Sequence, residues 1–171
     1  MGLELVMRSS GVRCGPMVVY HAGEELLEAL RGLQGVPGSY VLALEASRSR
    51  WTRVGRLGTC CFPQGYYYYV GSAFGPGGLR ARLSRYFQPP QRRHWHIDYL
   101  LEIMSVVAVG YVTGPPSREH EWARRLAAAA GIRVPVPAFG SSDCHCPAHL
   151  FWSRGYRRFE GILAPADYGA V

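Results

Sequence analysis

The chain has 171 residues, 48% of them apolar and 12% aromatic, which suits one domain with a proper core. No apolar run approaches the ~20 residues of a membrane span, and the opening MGLELVMRSSGVRCGP has no basic start followed by an apolar stretch; a soluble cytoplasmic protein with no membrane partner is expected. The formal net charge is +7, and all 19 cationic side chains are arginine.

Residues 1–35 are expected to form a partly helical extension. Within it GEELLEALRGL sets Leu26, Leu27, Leu30 and Leu33 on one helical stripe, with acids early and Arg31 late, and GVPG then breaks the helix. The main domain is expected over 36–155. GSYVLALEA alternates as a strand from Tyr40 to about Leu44, WTRVGRLGT follows as a second strand, and FPQG turns into a third, YYYYVGSA. Three short strands at hairpin spacing predict an antiparallel meander. LRARLSRYF then puts Leu79, Leu83 and Tyr86 on one helical face and ends at Pro89 and Pro90. HWHIDYLLEIM predicts a second helix, SVVAVGYV a strand, and REHEWARRLAAAAG a helix stopped by Gly131. VPVPAFGSSDCHCPAHLFW is a loop running into a short strand, and 156–171 form a tail. The order β-β-β-α-α-β-α predicts an α+β fold, a small, mostly antiparallel sheet flanked by helices.

The charge is unevenly spread. Between Glu45 and Asp98 there is no acidic residue, yet nine arginines fall there: Arg48, Arg50, Arg53, Arg56, Arg80, Arg82, Arg85, Arg92 and Arg93. Guanidinium forks match phosphate geometry, so the segment reads as a nucleic-acid footprint, with an ordinary solvated basic face as the plain alternative. The five cysteines form an odd set without a secretory signal, which argues against a disulfide framework.

A strand opening on Gly38-Ser39-Tyr40, a later strand ending Tyr69-Val70-Gly71, and a following helix with LRARLSRYF occur here in that order. Together with HWHIDYLL and FGSSDCHCPAHLF they resemble the GIY-YIG nuclease superfamily, and in particular its small Uri-type branch, over about residues 37–153. The resemblance implies a metal-dependent endonuclease hydrolysing phosphodiester bonds, DNA favoured over RNA. Relatives of the branch can be joined to glycosylase-type repair domains, which implies a repair context and a repair-protein partner. A non-catalytic nucleic-acid-binding module with the same fold is the alternative.

Residue by residue, the resemblance places Tyr40, Tyr69, Arg82 and Glu121 in catalytic positions, with Glu121 holding Mg²⁺ or Mn²⁺ and Glu119 as the fallback. Tyr40 is favoured as general base and Tyr69 as an orienting group. Ser39 stands where isoleucine is usual and is expected to tolerate change; Gly71 is expected to let the backbone turn closely into the site. The separation of 69 − 40 = 29 residues exceeds the usual hairpin and marks RVGRLG as an extra strand or insertion.

The chemistry wants these residue types. One carboxylate suffices for Mg²⁺, which keeps most of its waters. Arg82 stays charged and can grip two phosphate oxygens as their charge grows. A phenol with a pKa near 10 is a poor base at neutral pH, so Arg82 or the metal must lower it. Along the strand Tyr67 and Tyr69 share one face, Tyr66 and Tyr68 the other, and the three besides Tyr69 are expected to pack the sheet. Arg80, Arg85, Arg92, Arg93, His94 and His96 are candidate nucleic-acid contacts. Glu121 could equally pair with Arg125 at (i, i+4).

Cys144, Cys146 and His149 form a Cys-x-Cys-x-x-His pattern without the common spacing or an evident fourth ligand. A structural Zn²⁺ completed by His94 or His96 is one reading; a loop tied down by hydrogen bonds is the other.

Overall fold

The computed structural model describes residues 17–88, 92–115 and 117–164, together with the backbone of Val12–Cys14. Its six-stranded antiparallel sheet contains β1 (Val12–Cys14), β2 (Met17–His21), β3 (Gly38–Ala46), β6 (Gly65–Ala73), β7 (Ser105–Thr113) and β8 (Leu150–Ser153), in the order β1-β2-β7-β3-β6-β8. β4 (Arg50–Val54) and β5 (Gly58–Phe62) pair only with each other. The helices are α1 (Glu24–Gly32), α2 (Gly78–Tyr86), α3 (His96–Leu101), α4 (Glu119–Ala128) and α5 (Phe159–Leu163). The fold is α+β, as the sequence predicts.

β3 runs through the middle of the sheet and is buried on both faces, so the alternation expected for it separates two cores instead of core from solvent. Tyr40, Leu42 and Leu44 point with Tyr67 and Tyr69 into one core, shared with α1, α2, α3 and the β4–β5 hairpin. Val41, Ala43, Tyr68 and Val70 point into a second core under α4 and α5. Helices therefore cover both faces, and the alternation expected for the tyrosine run is observed. Tyr66, Tyr67 and Tyr68 all end in protein partners, on Glu45, the Pro63 carbonyl and the Arg157 amide respectively.

The expected meander is not formed. Gly55 and Gly58 take positive φ values of 46° and 75°, folding WTRVGRLGT back on itself, so that the second strand becomes β4 and β5. The hairpin leaves the main sheet, and β3 pairs directly with β6 from Gly38↔Ala73 to Ala46↔Gly65. The second predicted helix is shorter than its apolar spacing suggests, because Trp95 is extended and only His96–Leu101 is helical.

Neither expected flank stands apart. β2 is bonded to β7, and Leu26, Leu30 and Leu33 lie in the first core. At the other end, Phe159 and Leu163 of α5 are buried in the second core. Both segments supply apolar surface that the sheet needs to cover its two faces. Among the described residues, no helix is long and apolar enough to cross a membrane.

Candidate active site

β8 pairs with only Tyr66 to Tyr69 of β6. Beyond it the Val70 amide donates to the His149 carbonyl at 2.9 Å, and the edge of β6 then opens at Gly71 and Ser72. Side chains from both layers converge there on a cavity of about 490 Å³. Tyr40, Tyr69 and Arg82 enter it from the first layer, Glu119 and His120 from the second, and His94, Trp95 and His96 from the segment that starts α3.

The tyrosine–arginine side is tightly interlocked. The hydroxyls of Tyr40 and Tyr86 are 2.6 Å apart, and the charge of Arg82 acts on both phenols. Tyr86 lies one turn beyond Arg82 on α2, so its proximity was available from the helical period, though its apolar ring suggested only packing. The Arg82 guanidinium also lies 4.1 Å from the centre of the Trp95 ring, and Arg85 lies 4.3 Å from it. Tyr40 and Gly71 are cross-strand partners. A Cβ on Gly71 would come within 2.3 Å of the Tyr40 hydroxyl, so Gly71 makes room for that ring. The expected role in turning the backbone is not seen, because Gly71 sits mid-strand and is absent from the positive-φ glycines.

Burial raises the pKa of Tyr40 well above that of a free phenol, with Tyr86 and Tyr69 adding to it; Arg82 pulls the other way. Tyr69 is raised likewise, again chiefly by burial, then by Tyr86 and Glu119. In this state the charge of Arg82 does not outweigh burial, and both phenols stay neutral at pH 7.

The two candidate carboxylates separate cleanly. Glu121 forms ion pairs with Arg118 at 3.1 Å and Arg125 at 2.8 Å and does not line the cavity. Glu119 does. Its Oε2 accepts a 2.7 Å bond from the Ser72 hydroxyl, and its Oε1 lies 3.2 Å from Nδ1 of His149. That last approach has the distance of an ion pair without the alignment of a hydrogen bond. Burial favours the neutral acid, but His149 and Ser72, with the charge of His120, prevail and hold the Glu119 carboxyl below its ordinary pKa. Ser72 directly follows the YVG motif, which is the signal that could have singled it out. Ser39 is fully buried, and its hydroxyl accepts the Arg118 amide at 2.8 Å, tying the start of α4 to β3. The expected tolerance to change at this position does not fit that bond.

The candidate nucleic-acid contacts divide. Arg80 and Arg92 are exposed, and His94 is exposed at the cavity. Arg93 is engaged by Glu102 through two bonds of 2.6 Å. Arg85 is held by the buried Asp98 through bonds of 2.8 and 2.7 Å. His96 lines the cavity, and its Nδ1 accepts the Gly140 amide at 3.0 Å, which leaves the proton on Nε2. Burial lowers its pKa, favouring this neutral form.

Asp98 also accepts the amides of His94 and Trp95, fixing the segment that bears Trp95. Burial alone would raise its pKa, but the bonds from Arg85, Trp95 and His94 prevail and lower it. A carboxyl whose folded pKa lies below its unfolded value of about 3.9 gives full stability above that value and loses it as pH falls through the lower, folded one. Asp98→Asn should therefore cost about 2–3 kcal/mol at pH 7, as for hydrogen bonds to a charged group. Chemical denaturation at pH 7 and at acid pH measures it; the difference between the two proteins should shrink in acid.

Neither His94 nor His96 joins Cys144, Cys146 and His149. His120 does: one ligand atom from each of these four residues lies within 4.8 Å of the other three. No local pattern points to His120, which sits on α4, remote in sequence from the cysteines.

Fold and site thus define an α+β domain with a polar cavity in which tyrosine, arginine and carboxylate meet beside a cysteine–histidine cluster. The chain belongs to the family described as Domain of unknown function DUF123, whose model matches residues 39–164. No curated protein and no solved structure matches it.

Proposed function

We propose that the protein is a divalent-metal-dependent endonuclease of the GIY-YIG type, Uri-like in branch, that hydrolyses phosphodiester bonds in nucleic acid, DNA before RNA. The observation that carries this reading is the convergence of Tyr40, Tyr69, Arg82 and Glu119 on one cavity. Glu119 suits a hard cation, since it is held ionised and partly accessible in a cavity roomy enough for waters, whose lining holds a second carboxylate in Asp143. Mg²⁺ or Mn²⁺ at Glu119 would supply Lewis acidity and stabilise the leaving oxygen.

The chain's own groups do the rest. Ser72 keeps one Glu119 oxygen in place. Arg82, braced by Tyr40, Tyr86 and Trp95, presents a fixed positive charge to the phosphate as its oxygens gain charge. Tyr40 and Tyr69, neutral at pH 7, position the attacking water through their hydroxyls. Use of Tyr40 as general base needs its phenol pKa lowered after substrate and metal bind, against the burial seen here. The surface suits a polyanion: Trp51 is 73% exposed on β4, flanked by exposed Arg50 and Arg53, a pattern that stacks bases and grips phosphates. The repair context and a repair-protein partner rest on the family resemblance.

The test is cleavage of labelled single-stranded, duplex and branched DNA, and of RNA, with Mg²⁺ or Mn²⁺. Arg82→Ala should lower the rate about 10³-fold, the scale of one lost transition-state contact. Salt-sensitive binding without cutting of any substrate would replace this reading with a non-catalytic binding module. Undiminished cutting by the variant would remove Arg82 from the mechanism.

A further inference from the structure

We propose that His120, Cys144, Cys146 and His149 form a Zn²⁺ site whose ligand His149 also positions Glu119. The ligand geometry is close to that of a bound ion. Nε2 of His149 is 3.4 Å from Sγ of Cys144, and Nδ1 of His120 is 3.3 Å from Sγ of Cys146. In a tetrahedral zinc site with ordinary bond lengths, the sulfur–nitrogen edge is about 3.5 Å. Two thiolates and two imidazoles form a soft donor set suited to zinc, and a poor one for Mg²⁺. The cysteines are free thiols.

The surrounding backbone holds this arrangement. The His149 amide donates to Phe139 at 2.7 Å and its carbonyl accepts from Val70 at 2.9 Å, which fastens the loop to β6. The Ala138 amide donates to Pro147 at 2.8 Å, and Ala138 has a φ of 60°, unusual for a residue with a side chain. The fourth ligand comes from α4, so the ion would clip the Cys144–His149 loop to that helix.

The site touches the carboxylate through one ring. An imidazole bound to zinc through Nε2 carries its single proton on Nδ1, and in His149 Nδ1 is buried beside Oε1 of Glu119. That is the carboxylate–histidine–zinc arrangement, in which the metal sets the tautomer and orientation of the ring. On binding, the two thiols release their protons to solvent and no redox step occurs. The zinc site stands on its own geometry; the consequence for Glu119 rests on the nuclease reading.

Metal analysis of the purified 171-residue chain should find about one zinc per chain. Replacement by Co²⁺ should give the thiolate charge-transfer band and intense visible bands of a tetrahedral sulfur–nitrogen site. Cys146→Ser and His120→Ala, which each remove a ligand, should bind zinc more than about 100-fold more weakly, whereas Glu119→Gln, which alters only the partner of His149, should bind it at most about 10–100-fold more weakly. Should those variants not fold, stoichiometric zinc added to the metal-stripped wild-type chain should still raise its melting temperature. A chain that takes up neither zinc nor cobalt, or that contains a Cys144–Cys146 disulfide, would overturn the site. An unaltered cobalt spectrum in His120→Ala would overturn its ligand set. Zinc bound without cleavage of any nucleic acid would sink the nuclease reading and leave the metal site standing, so the two failures can be told apart.

Discussion

Glu119→Gln should lower metal-dependent cleavage by about 10³-fold or more, and Glu121→Gln by less than about 3-fold. The first figure follows the scale of a group acting on the reacting atoms. Glutamine keeps the shape and can still accept from Ser72, but it loses the charge that would hold a hard cation. Glu121 sits two residues on, where the helix turns it towards Arg118 and Arg125. Its loss removes two partly exposed ion pairs, a stability change of about 1 kcal/mol or less. Parallel rate measurements across a Mn²⁺ titration decide the matter: higher Mn²⁺ should rescue part of the Glu119→Gln defect. A large loss in Glu121→Gln with Glu119→Gln near normal would reverse the assignment.

Gly71→Ala should lower the cleavage rate about 10²-fold, because one methyl displaces Tyr40. The added carbon would lie 2.3 Å from the Tyr40 hydroxyl and 2.4 Å from the adjacent ring carbon. The ring must shift and disturb its hydroxyl contact with Tyr86, and Arg82, whose charge acts on both phenols, loses their arrangement. Misplacement near 1 Å at a reacting group costs about that factor, and overpacking should also cost about 1–3 kcal/mol of stability. A double-mutant cycle with Tyr40→Phe separates the routes. If Gly71→Ala acts through the Tyr40 hydroxyl, its rate effect should largely vanish in the Tyr40→Phe background. Full additivity would mean that Gly71 acts on the site by another path.

Several elements were legible from local pattern alone. β3, β6, β7, α1, α2 and α4 follow from apolar periodicity and from Gly or Pro at their ends, because burial on one or two faces imposes those periods. The tyrosine run could be sorted into two faces before any contact was known. β1 and β2 are not legible, because strands of three and five residues, paired with each other and joined to the sheet where β2 meets β7, leave little periodic signal. WTRVGRLGT carries the pattern of one strand, because its folding into β4 and β5 depends on the backbone angles of Gly55 and Gly58.

The class of fold, the order of the tyrosine and arginine motifs, and the residue types available for phosphate chemistry are all readable from amino-acid order. These are properties of spacing along one chain segment, and strand and helix periods carry them. Tertiary structure alone decided which carboxylate enters the cavity, which arginines are engaged by Asp98 and Glu102, and that His120 meets Cys144, Cys146 and His149. Each of those outcomes depends on the rotation of α4 or α3 about its own axis and on where β8 stops along β6. Packing across the two cores sets those quantities, and no local pattern in the chain records them.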